Sequence, residues 1–175
     1  MKSKIFLPLL VAVTAFANLS YADHAVDNAR YISRLAYDLA DDSEALERQA
    51  FWLIDDYRDP HRDRDHWPIR FATTSDNVTF DHRSDTIRSF AYAARRLHLA
   101  ASDLYRSASR VRFTGPVDHR GDQIRSDYRS VVNAARTLES KYSRINWSDR
   151  NQLSRSYRSV QRSLQRLQGY VYGTY

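Results

Sequence analysis

The chain has 175 residues and a formal net charge of +6, with 24 arginines to three lysines, 18 aspartates to three glutamates, and no cysteine. The lack of cysteine excludes disulfides, thiolate zinc or iron–sulfur sites, thiol catalysis and covalent haem attachment. Met1 is the sole methionine, so a processed chain also has no methionine ligand for haem.

Lys2 and Lys4 precede an apolar run over residues 5–17, and Ser20-Tyr21-Ala22 follows as a small-x-small site. This order predicts a signal peptide over 1–22, cleaved before Asp23; Ala15-Phe16-Ala17 offers an alternative cut before Asn18. The run is shorter than the ~20 residues a membrane-spanning helix needs, and no later segment is apolar enough to span. The expected product is a periplasmic or extracellular chain, 23–175, forming one domain with its own core.

Four heptad phases follow in chain order. A first helix over 24–58 carries Ala25, Ala29, Ile32, Ala36, Leu39, Ser43, Leu46, Ala50, Leu53 and Tyr57 at strict 4-3 spacing, unbroken through Asp41-Asp42-Ser43. A long connection, 59–80, leads to a second helix over 82–110 with Ile87, Phe90, Ala94, Leu97, Ala101, Leu104 and Ala108. Thr114-Gly115-Pro116 turns into a third helix over 119–145, carrying Ile124, Tyr128, Val131, Ala135, Leu138, Tyr142 and Ile145. Around Asn146-Trp147-Ser148 the chain turns again, with Ser148 as expected N-cap, into a fourth helix over 149–171 with Leu153, Tyr157, Val160, Leu164, Leu167 and Val171. Seams of this spacing are buried by neighbours inclined about 20°, and short loops force antiparallel neighbours. The predicted fold is all-α, an antiparallel up-down-up-down four-helix bundle with one long connection. Folding back about residue 147 sets Tyr142 against Leu153 and Leu138 against Tyr157. Residues 122–131 (DQIRSDYRSV) resemble 151–160 (NQLSRSYRSV), an internal echo too short for a repeat array.

Three features could carry chemistry. Asp-His-x-x-Asp-x-x-Arg occurs at 23–30, 81–88 and 118–125, each at an expected helix start. There the leading acid can cap free amides, and the second acid can pair with the arginine three residues on. The same His and Asp at i, i+3 also suit a divalent transition metal. The connection places His61 and His66 near His82 and Asp85 at one pole of the bundle, a candidate metal site set among Arg62 and Arg64. The third feature is charge: residues 23–117 hold 14 arginines against 16 acids, whereas 118–175 hold 11 basic residues against five acids, none after Asp149. Heptad position turns Arg155, Arg158, Arg162 and Arg166 outward on the fourth helix, and Arg129 and Arg136 outward on the third. Such a face is either solvated or made for phosphate and carboxylate, which guanidinium grips in bidentate fashion.

Catalysis in a bundle needs inward polar residues, and the seams are apolar or tyrosine apart from Ser43. Glu-x-x-His pairs and glycine-rich phosphate loops are missing from the sequence. The expectation is a non-enzymatic binding module, monomeric or a small homo-oligomer, whose arginine face contacts an anionic envelope component or acidic protein. Metal binding at the histidine pole is the alternative. Nucleic acid is not an expected partner, since no stacking aromatics interleave the arginines.

Overall fold

The computed structural model describes residues 22–58, 74–110 and 118–171, with side chains described over 28–54, 82–110 and 121–171. Four helices account for almost all of them: α1 (Ala22–Arg58), α2 (Thr74–Arg110), α3 (Asp118–Tyr142) and α4 (Trp147–Val171). The expected leader lies outside the described residues apart from Ala22, as do 59–73 with His61 and His66.

The heptad residues form the core. From Ala29 to Leu53 on α1, Ile87 to Ala108 on α2, Ile124 to Leu138 on α3 and Leu153 to Leu167 on α4, every seam position is buried. Leu39, Leu46, Phe90, Leu97, Leu104, Leu153 and Leu167 have no exposed surface. Each such side chain stabilises the fold by about 1.5–3 kcal/mol relative to exposure, which lets a cysteine-free chain hold together.

Some expectations need correction. The second helix starts at Thr74, not 82, so part of the predicted 59–80 connection is helical. Phe80 stands one heptad before Ile87 and so continues the apolar phase past the Asp81-His82 motif. Asp81 therefore lies inside α2 and is not a helix cap. Asp118 does open α3, and Asp23 lies in the first turn of α1. The cap of α4 is Asn146, not Ser148. Its side-chain oxygen accepts the Asp149 backbone N–H at 3.0 Å, while its amide donates to Asp149 Oδ2 at 2.7 Å.

Cross-helix contacts set the register. Ser33 meets Ser109, Tyr37 meets Tyr105, His98 meets Ala40 and Phe51 meets Tyr92, so α1 and α2 run antiparallel. Tyr170 meets Asn28 while Gln49 meets Gln152, so α4 runs antiparallel to α1 on its other side. Ser107 meets Asp127 and Phe90 meets Tyr142, placing α3 antiparallel to α2. The α1–α2 pair approaches most closely. Alanines at Ala29, Ala36, Ala50, Ala94, Ala101 and Ala108 keep that seam thin.

The fourth side of the ring is different. Although α3 and α4 are joined by the short turn 143–146, their backbones stand farther apart than the other neighbours. Tyrosine fills the gap: Tyr142 stacks on Tyr157 with ring centroids 3.7 Å apart and planes 11° from parallel. The Tyr142 hydroxyl also reaches the Arg150 carbonyl at 3.2 Å, so this one side chain spans the stretch of α4 around Leu153, the residue expected opposite it. The anchor of the turn is Asp149, fully buried, and not Trp147, which is 81 % exposed.

Candidate functional site

The six arginines singled out by heptad position, Arg129, Arg136, Arg155, Arg158, Arg162 and Arg166, are all exposed. None of them forms an ion pair among the described residues. Several other arginines of the bundle are matched by acid. Arg48 pairs with Glu44 at 2.8 Å, Arg88 with Asp85 at 3.0 Å, Arg106 with Asp103 at 3.1 Å, and Arg125 with Asp122. Arg95 approaches Glu47 at 3.9 Å, across the α1–α2 seam. The contrast follows from sequence: three of those pairs are Asp-x-x-Arg, a spacing that brings the two groups together on one helix face, and α4 has no acid beyond its first turn.

The six do not make one flat patch. Seven-residue spacing puts Arg129 and Arg136 in line on α3, and Arg158 stands near enough to the Tyr142 hydroxyl for its charge to act on it. Arg155 and Arg162 occupy the outer face of α4. Arg166 turns toward α1 and lines a cleft of about 550 Å³ with Tyr31, Arg34, Leu35, Asp38 and Tyr170. The α4 arginines thus wrap around that helix, with Arg166 on its α1 side.

Beneath this surface the polar groups are tied locally. Burial raises the Tyr157 hydroxyl pKa well above its ordinary value, with further upward pushes from Glu139 and Tyr142. Tyr142 is also raised by burial, and the charges of Arg150 and Arg158 oppose that shift. The Ser43 hydroxyl donates to the Leu39 carbonyl at 2.7 Å, and His98 Nδ1 donates to the Ala40 carbonyl at 3.0 Å. The first bond lies within α1 and the second joins α2 to α1.

At the pole opposite the cleft, the metal candidates divide. His61 and His66 lie outside the described residues; His82 is exposed, and Asp85 is engaged with Arg88. Among the described residues no group of three histidine or acidic side chains is arranged to hold a metal ion. The feature that sequence alone did not reveal at this pole is the Arg83–Asp149 pair: Arg83 Nε and Nη2 donate to the buried carboxylate at 2.8 and 2.5 Å. The partners are 66 residues apart, so no local spacing announces them. A cavity of about 350 Å³ adjoins the pair and is lined also by His82, Arg144 and Asn146.

No protein-family model matches this chain. No curated protein and no solved structure is similar to it. Among the described residues no helix is long and apolar enough to cross a membrane.

Proposed function

We propose that the protein is an exported, non-enzymatic binding module whose arginine surface on α3 and α4 contacts an anionic component of the cell envelope. The observation that carries this reading is the cluster of six exposed arginines on α3 and α4 without ion pairs among the described residues, where Arg48, Arg88 and Arg106 on α1 and α2 each have an acid beside them. From Arg155 to Arg162 the outer row extends about 10 Å along the helix axis. That reach suits a surface with repeated phosphates better than a single small anion, and the rigid bundle keeps the guanidinium spacing fixed. An acidic protein is the competing partner, and it would show as binding that needs no lipid.

Vesicles with and without anionic phospholipid test the reading. Each arginine near such a surface contributes about 1 kcal/mol, so replacing both Arg158→Glu and Arg162→Glu lowers binding to anionic vesicles at least about 30-fold. The same change flattens the salt dependence, because fewer charges are screened. Equal affinity for anionic and neutral vesicles, or no effect of the double replacement, overturns the proposal.

A further inference from the structure

We propose that the cleft between α1 and the end of α4 binds an acidic sugar, a pyranose bearing a carboxylate or a phosphate. The inference rests on the preceding reading only through Arg166, which serves both surfaces.

The cleft measures about 550 Å³, within the range of small-molecule sites and far larger than an inorganic anion requires. Its wall is aromatic. Tyr31 is 49 % exposed, and its ring lies 4.5 Å from that of Tyr170 at 37°. Tyr170 is held in turn by its hydroxyl, which donates to Asn28 Oδ1 at 2.5 Å. The floor is Leu35, buried. Arg34, Asp38 and Arg166 surround it, and none of the three forms an ion pair among the described residues.

Those separated charges have a local cause. In α1 Arg34 precedes Asp38 by four residues, the less favourable order for a helical pair. Two turns further along, Glu44 precedes Arg48 and the pair closes at 2.8 Å. The same helix therefore pairs its charges in one place and leaves them apart at the cleft.

The ligand class follows from matching each group. Two guanidiniums call for an anion. A carboxylate that accepts only, Asp38, calls for O–H donors on the same ligand. The exposed Tyr31 ring, backed by Tyr170, calls for an apolar face. A sugar acid offers all three. Inorganic phosphate offers the anion alone, and an acidic peptide lacks the ring face and flanking hydroxyls that match Tyr31 and Asp38.

Saturation-transfer NMR with four probes tests the assignment: methyl glucuronide, glucose 6-phosphate, methyl glucoside and inorganic phosphate. At least one of the two acidic sugars binds, and the one preferred distinguishes a carboxylate from a phosphate ligand. Each of methyl glucoside and inorganic phosphate binds about tenfold or more weakly, the equivalent of losing one good contact. Tyr31→Ala and Arg34→Gln, both at exposed positions, each reduce acidic-sugar binding about tenfold without shifting the melting temperature. Arg106→Gln, on α2 and outside the cleft lining, leaves it unchanged. Failure of both acidic sugars to bind, equal binding of inorganic phosphate, equal binding of a polyglutamate peptide, or no effect of Tyr31→Ala overturns the proposal. Sugar-acid binding in a protein that ignores anionic vesicles upholds the cleft while retiring the outer arginine face. Vesicle binding without sugar-acid binding retires the cleft.

Discussion

Asp149 has no solvent exposure, yet it carries a charge at the base of α4, held by two nitrogens of Arg83 and by the Asn146 amide. A buried carboxylate is tolerated only when its oxygens are this fully engaged. Asp149→Ala should therefore cost about 3–5 kcal/mol, because it strands the Arg83 guanidinium and removes the second half of the α4 cap. Urea unfolding reads the loss, and a change below about 1 kcal/mol would mean that water replaces the carboxylate. At this scale the sequence was legible where partners are close in the chain. Asp85–Arg88 and Asp122–Arg125 pair as their spacing predicts. Asp149 was visible only as the last acid of the chain, since its partner sits on another helix.

Between elements, α1 and α4 are joined by a polar ladder. Asp42 accepts from Ser159 at 2.8 Å and Ser163 at 2.5 Å, and Gln49 accepts from Ser156 at 2.6 Å while donating to the Gln152 carbonyl at 2.8 Å. Small serines on α4 let the helices approach while keeping hydroxyls within reach of longer acceptors on α1. Asp42→Ala leaves two hydroxyls without their acceptor and should destabilise by about 1–3 kcal/mol. Combined with Ser163→Ala it should cost less than the two separate losses added together, by about 0.5 kcal/mol or more, because both remove one shared contact. Full additivity in thermal or urea unfolding would dissolve the ladder into independent surface bonds. The seams of these helices were readable because a heptad is written within one helix. The flanking serines were readable only as neutral, since the register of α4 against α1 is written in neither helix alone.

For the molecule as a whole, the wide α3–α4 side has a pH signature. Burial raises the Tyr157 hydroxyl pKa above the ordinary value near 10 and raises Tyr142 as well. The folded chain then keeps protons that the unfolded chain releases, so stability is complete below about pH 10 and declines as pH rises beyond it. Melting temperatures followed from pH 9 upward should fall more steeply in the native chain than in Tyr157→Phe; parallel curves would place the alkaline sensitivity elsewhere. Arginine exposure was legible at this scale from heptad position alone. Their distribution was not: that Arg158 stands near Tyr142 and Arg166 beside α1 depends on how far the helices splay, which the bulk of Tyr142 and Tyr157 decides. Tyr31, Arg34 and Asp38 were passed over because nothing within α1 indicates that Arg166 arrives beside them.

The ladder between α1 and α4 also has a bearing on time. Gln49 and Gln152 are 103 residues apart. At ribosomal speeds of about 5–20 residues per second, the first helix made waits roughly 5–20 s for the last. During that wait α2 can cover the alanine seam of α1, and the side left bare is the one carrying Asp42 and Gln49. Water hydrates those groups readily. The side of α1 that waits longest for its partner thus carries groups that water can satisfy in the meantime.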